Sequence, residues 1–248
     1  MPGIKVDKGA KPLAGADGET VTEGLDGLRD RLAEYYELGA RFTKWRSVIT
    51  IGNGIPSRYC IEANAHSLAR FAKLTQEAKM VPIVEPEVLM TGDHTVARCA
   101  EVTEATLAEV YQQLHIHRVE LEGTLLKPNM IVSGDQCPEQ AGADQVAEMT
   151  IRTLSRTVPS AVPGIVFLSG GLSEIDATSF LNAMNKRGPH PWQLSYSFGR
   201  ALQASALKAW GGDADNIAAA QAAYAHRAHC NGMARSGDYS AEIEGQAA

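Results

Sequence analysis

Met80-Val81-Pro82-Ile83-Val84-Glu85-Pro86-Glu87 is a short apolar, β-branched run that gives way to two carboxylates two residues apart. Such a run reads as a buried strand, and its period of two puts Glu85 and Glu87 on one face at the strand end. The same arrangement recurs on both sides of it. Upstream lie Gly3-Ile4-Lys5-Val6-Asp7 and Arg41-Phe42-Thr43-Lys44-Trp45-Arg46-Ser47-Val48; downstream lie Val119 to Lys127, Gly164 to Ser169 and Gln193 to Phe198. Between these runs the apolar spacing changes to that of helices. Helices are expected over Leu25, Leu28, Leu32 and Tyr35, entered through a capping box at Thr20-x-x-Glu23 and stopped at Gly39. Further helices are expected over Ile61–Lys79, Val96–Leu114, Gln140–Arg156 and Ser173–Asn185, with alanine-rich helices flanking Gly211-Gly212. The polar residues Lys5, Lys44, Glu85, Lys127 and Ser169 near successive strand ends are 39, 41, 42 and 42 residues apart, and Ser197 follows after 28. That spacing suits a βα unit with its loops, and regular alternation implies a parallel sheet in an α/β protein. A doubly wound sheet and a barrel both satisfy it.

The 248 residues suffice for one large domain or two modest ones. Hydrophobic residues make up 44% and charged residues 21%, and no apolar run approaches the roughly 18 residues of a membrane span. A net charge of −6 is the wrong sign for tracking nucleic-acid backbones, so neither a nucleic-acid nor a membrane partner is expected. Cys60, Cys99, Cys137 and Cys230 are scattered without zinc-type or dithiol spacing, and Met1-Pro2-Gly3-Ile4 does not read as an export signal. Inert thiols in a reducing cytoplasm are the expectation.

The strand ends concentrate charge. Lys5 with Asp7, Lys44 with Arg46, and Glu85 with Glu87 are pairs at i and i+2, each on one face of its strand, and a fourth strand ends at Lys127. A single pair is ordinarily a solvated outer face; four strand ends in succession point to a site, because buried charges persist only when paired with one another or with a ligand. Together with Arg200 the cluster holds five cations and three carboxylates, a net positive pocket in an acidic chain, suited to an anionic small molecule. Ser169-Gly170-Gly171 and Ser197-Phe198-Gly199-Arg200 are turns between strand and helix whose N–H groups can face a phosphate. A lysine among cations and apolar neighbours can attack a carbonyl as the neutral amine and form a Schiff base. Lys127, beside Leu125, Leu126 and Pro128, is the first candidate and Lys44 the second, with Glu85 and Glu87 able to move the protons imine formation requires. The histidines, including His115-x-His117 and His226-x-x-His229, offer no evident third ligand, so neither a metal nor another cofactor is expected.

Read together, Ile4-Lys5-Val6-Asp7-Lys8-Gly9, Lys44-Trp45-Arg46, Val84-Glu85-Pro86-Glu87, Leu121-Glu122-Gly123-Thr124-Leu125-Leu126-Lys127-Pro128-Asn129-Met130, Phe167-Leu168-Ser169-Gly170-Gly171 and Ser197-Phe198-Gly199-Arg200-Ala201-Leu202-Gln203 resemble class I fructose-bisphosphate aldolase. The resemblance runs in order from about residue 3 to about residue 235. It implies a TIM (β/α)8 barrel, with about six of the eight βα units in this chain. It also implies reversible, metal-free cleavage of fructose 1,6-bisphosphate to dihydroxyacetone phosphate and glyceraldehyde 3-phosphate in glycolysis. By the same resemblance Lys127 is the Schiff-base lysine, Glu85 the acid and base for imine formation, and Glu87 its neighbour in the charge network. Lys44 stabilises charge near the scissile bond, and Arg46 and Lys5 lie towards the far phosphate. Ser169, Gly170, Gly199 and Arg200 hold the phosphate of the ketone half, and Asp7 supports the lysines.

The family's pattern has two further βα units before the point this sequence matches, the first bearing an aspartate that assists proton removal. Residues 1–235 are therefore expected to form a truncated barrel domain and 236–248 a C-terminal tail, with Leu172 and Phe198 departing from the residues usual in the family. Sugar phosphates are the expected partners, and the resemblance implies a homo-oligomer, a tetramer. The alternative expectation is an inactive remnant that serves as a sugar-phosphate-binding or assembly module.

Overall fold

The computed structural model describes residues 1–245. The chain begins with β1 (Gly3–Lys5) and an antiparallel hairpin of β2 (Ala10–Pro12) and β3 (Thr20–Thr22), then α1 (Leu28–Glu37). Strands and helices then alternate: β4 (Phe42–Ile49), α2 (Arg58–Glu77), β5 (Val81–Val88), α3 (Val96–Ile116), β6 (Leu125–Leu126), α4 (Ala143–Thr157), β7 (Gly164–Phe167), α5 (Glu174–Lys186) and β8 (Gln193–Tyr196). After β8 come α6 (Arg200–Trp210), α7 (Ile217–Ser236) and the short α8 (Ala241–Gly245). Six strands form one parallel sheet in the order β1-β4-β5-β6-β7-β8. Each strand lies beside the next one in sequence with no reversal, which is the winding of a barrel; a doubly wound sheet reverses its order at a switch point. Among the described residues, the edge strands β1 and β8 do not pair with each other.

The two faces of the sheet have different jobs, and β4 shows how. Thr43, Trp45, Ser47 and Ile49 are buried on the helix side, while Phe42, Lys44, Arg46 and Val48 alternate with them on the other. Trp45 stacks on Phe71 of α2 with ring centroids 5.6 Å apart, inside a core that includes Leu28, Leu32, Leu68, Val84 and Val110. A second core joins Leu126, Ile165 and Phe167 to Val146, Leu181 and Met184 of α4 and α5. With the helix side filled by apolar packing, the charged members of each strand face the opposite side, where neighbouring strands or a ligand can partner them.

Two local expectations give way. Thr20 does not cap a helix: Thr20–Thr22 is β3, its hydroxyls donating to Val48 O (3.2 Å, Thr20) and Arg46 O (2.7 Å, Thr22), and the Glu23 N–H donates to Gly9 O at 3.1 Å. The β-branched Thr-Val-Thr pairing with β2 outweighs the capping pattern, and α1 starts later, after Gly27 in the left-handed region at φ 63°. Gly39, at φ 100°, does follow the helix end. Val119–Lys127 is not extended throughout either; Leu121–Gly123 is a 3-10 turn and only Leu125–Leu126 joins the sheet. Three other helices, α2, α3 and α5, do start at capping side chains: Ser57, Thr95 and Ser173 hydroxyls accept from the N–H groups of Cys60, Arg98 and Asp176.

Candidate active site

The parallel register sets the charged residues side by side. Lys5 lies opposite Lys44, and Arg46 opposite Glu85. Lys127 directly follows β6, its N–H donating to Val84 O at 2.8 Å, so its side chain emerges next to Glu85. Four of the five cations of the cluster pair with its three carboxylates. The Lys127 ammonium sits 3.0 Å from Glu85 Oε1 while the other oxygen, Oε2, takes Lys44 Nζ, so one carboxylate bridges two lysines. Glu85 is 3% exposed and Lys127 9%, so these charges depend on one another rather than on water. Glu87, also buried, accepts from Arg46 Nε; this bond, the largest influence on the guanidinium, raises its pKa further and keeps it charged. Asp7 accepts from the N–H groups of Gly9 (3.1 Å) and Arg46 (3.2 Å) and pairs with Lys5 Nζ at 2.6 Å. The Lys5 side chain stays half exposed and marks the outer end of the cluster.

The two glycine turns close the other side. Gly170 and Gly171 have φ of 59° and 112°, a region that side chains rarely adopt. A Cβ at Gly170 would lie 3.9 Å from Glu87 Oε1, and one at Gly171 would lie 3.9 Å from Arg200 Nη2, so the Ser169 turn stands between the carboxylate cluster and Arg200. Ser169 is buried, whereas Gly199 and Arg200, at the N-terminal end of α6, are exposed. All eleven residues expected from the sequence therefore gather at the ends of β1, β4, β5, β6, β7 and β8. Arranged this way, the site can present one lysine to a carbonyl, with a carboxylic acid at hydrogen-bond distance and cationic or N–H groups on both flanks for anions.

Sequence reasoning passed over the scaffold behind these groups. Asn129 is 5% exposed and links β5 to the segment after β6 through Val88 N (3.1 Å). Gly134 lets the loops after β5 and β6 touch, since a Cβ there would lie 2.2 Å from Gly92 O. The only sign of Asn129 in the sequence is a polar residue two positions after a strand-end lysine, which many loops share.

Comparison with known proteins shows how widely this arrangement is shared. The family model of fructose-bisphosphate aldolase class-I matches residues 1–248. The chain belongs to the class-I fructose-bisphosphate aldolase family. Relatives include the fructose-bisphosphate aldolase of Dictyostelium discoideum, 55% identical over 97% of this chain and 68% of that protein. A probable class 1 fructose-bisphosphate aldolase of Xanthomonas campestris is 58% identical over 96% of this chain and 72% of its own length. A crystal structure of the Plasmodium falciparum fructose-bisphosphate aldolase superposes with a TM-score of 0.95 at 48% identity, covering 97% of this chain and 70% of that one. The fold is thus that of the TIM-barrel aldolases, with six βα units in the described residues. The function that accompanies this family is fructose-bisphosphate cleavage, a carbon–carbon lyase reaction.

Proposed function

We propose that this aldolase cleaves its substrate through a Schiff base on Lys127, with Glu85 as the acid and base. The observation that carries the proposal is the single buried carboxylate shared between Lys127 and Lys44. In the neutral form, Lys127 Nζ attacks the ketone carbon of fructose 1,6-bisphosphate. Glu85 protonates the resulting hydroxyl, which leaves as water and yields a protonated imine. The imine is an electron sink. As the adjacent carbon–carbon bond breaks, its electron pair moves towards the imine nitrogen and the hydroxyl proton of the departing half passes to the Glu85 carboxylate, releasing glyceraldehyde 3-phosphate and leaving an enamine that Glu85 can reprotonate. Protonation of the enamine carbon and hydrolysis of the imine then release dihydroxyacetone phosphate and regenerate the amine.

The remaining groups bind and orient. Ser169, Gly170, Gly199 and Arg200 hold the phosphate of the ketone half, using N–H groups and one guanidinium. Lys44 offsets negative charge developing near the breaking bond, and Arg46, steadied by Glu87, faces the far phosphate together with Lys5. Asp7 holds Lys5 and the β4 backbone in register. No step calls for a metal ion. A cytoplasmic location accords with the pea relative named as a cytoplasmic isozyme, and no described helix is long and apolar enough to cross a membrane.

Fructose 1,6-bisphosphate cleavage, followed through coupled oxidation of NADH, tests the mechanism. Activity is expected to survive excess EDTA and to vanish in Lys127→Met. Loss on chelation, restored by a divalent cation, or full activity in the variant, would overturn the imine reading.

A further inference from the structure

The seam between β5 and β6, which carries Glu85 on one side and Lys127 on the other, has an unusual shortage of backbone hydrogen bonds. Val81 N–H donates to Arg41 O and Leu89 N–H to Ile49 O, so odd-numbered N–H groups of β5 point at β4 and even-numbered ones at β6. Two of those even positions are Pro82 and Pro86, which have no N–H to give. The backbone bond from Lys127 N–H to Val84 O, 2.8 Å, is thus followed by a gap at Pro86. The gap closes at a side chain: Asn129 Oδ1 accepts from Val88 N–H at 3.1 Å. The amide is itself held, because Nδ2 donates to Thr103 Oγ1 of α3 and to Met130 O, both at 3.1 Å. Glu85 and Glu87 lie between the two pinned points, Val84 and Val88.

We propose that Asn129 is a positioning residue for imine chemistry, replacing the missing backbone rung so that Glu85 stays within proton-transfer reach of Lys127. The inference rests on the Schiff-base reading. Pro86 interrupts the ladder between the two strands, and one amide then sets how far the carboxylate strand stands from the lysine. Truncating Asn129 leaves the buried Val88 N–H without a partner and lets β5 and β6 drift at the point where they bear the reacting groups. Misplacement of about 1 Å costs on the order of a hundredfold in rate.

The test compares wild type with Asn129→Ala, Asn129→Asp and Thr103→Val. Each protein is incubated with dihydroxyacetone phosphate and borohydride, and the rate of adduct formation on Lys127 is measured beside kcat, KM and Tm. Asn129→Ala is expected to lower trapping rate and kcat about tenfold to a hundredfold while KM changes by less than about threefold. Asn129→Asp keeps an oxygen for Val88 N–H and is expected to recover most of the rate. Thr103→Val also leaves a buried polar group unpaired and lowers Tm, yet keeps the Val88 bond and is expected to trap close to the wild-type rate. Wild-type trapping in folded Asn129→Ala, no recovery in a folded Asn129→Asp, or an equal rate loss in Thr103→Val at a similar Tm, would overturn the positioning role while leaving Lys127 as the imine lysine. Absence of an adduct in the wild type would remove the Schiff base itself, and this inference with it.

Discussion

At the scale of single residues, Glu85 shows how a sequence places chemistry before any coordinates exist. A carboxylate at the end of a buried apolar run must find a cation, and the equal spacing of strand ends predicts lysines and arginines beside it; Lys44 and Lys127 are the partners found. Replacing it with Gln keeps the shape but removes the proton-transfer group. Glu85→Gln is expected to lower kcat for fructose 1,6-bisphosphate by about 10²–10⁴ with little change in KM, measured by steady-state kinetics. A fall below about tenfold would place the acid elsewhere. What composition and spacing left open was which lysine reacts: Lys127 and Lys44 both touch Glu85. Family resemblance favours Lys127, and burial agrees, its side chain being 11% exposed against 22% for Lys44. Asn129 stayed hidden because its role depends on a partner, Val88, 41 residues away, and on the missing N–H group of Pro86 on that partner's strand.

At the scale of elements, the period-two pattern was legible wherever one face of a strand met helices. In β4, Trp45 is fully buried between Lys44 and Arg46, so the residues that hold the strand and those that work alternate along it. Trp45→Ala is expected to cost about 3–5 kcal/mol of stability, measured by urea unfolding, since the ring fills a closed core against Phe71 and leaves a cavity. A loss under about 1 kcal/mol would mean that the site-bearing strand is held by something other than its helix side. The unread elements were those where tertiary contacts overrode a local signal. Thr20 and Glu23 have the spacing of a capping box, but the Thr20 and Thr22 hydroxyls reach carbonyls of β4, which lies more than 20 residues further along the chain. Around Leu121–Gly123 a run that reads as strand is bent by a 3-10 turn, and Gln76 of α2 bonds both Glu120 N and Glu120 O beside it.

At the scale of the whole molecule, strand order separates a barrel from a doubly wound sheet, and the one-dimensional alternation of strands and helices is the same in both. The unbroken order β1-β4-β5-β6-β7-β8 brings six strand ends to one rim, and so makes a single site from residues spread between positions 5 and 200. The end of the described chain is held against this body by charge. Arg227, only 4% exposed, pairs with Glu244 of α8, and Tyr239 Oη donates to the same carboxylate at 2.7 Å. Partial burial pushes the Glu244 pKa up, but the Arg227 and Tyr239 hydrogen bonds outweigh it and leave the group below its ordinary 4.5. A lowered folded-state pKa contributes stability that is complete above the unfolded value and disappears as pH falls through the folded one. Amide exchange over Ala241–Gly245 is therefore expected to stay slow at neutral pH and to quicken, relative to the intrinsic rate, only as pH falls below the ordinary carboxylate range. Glu244→Gln is expected to exchange quickly already at pH 7, and slow exchange in that variant would show that the apolar contacts of Ile243 hold α8 instead.

The central claim is that these six strands bring Lys127 and Glu85 together as a working imine pair. The most direct measurement is to incubate the purified chain with dihydroxyacetone phosphate, reduce with borohydride and locate the added mass by peptide mass spectrometry, with Lys127→Met as control. The account predicts one adduct, on Lys127, absent from the variant. A folded, soluble sample that gains no adduct, or gains it on Lys44 instead, would contradict it.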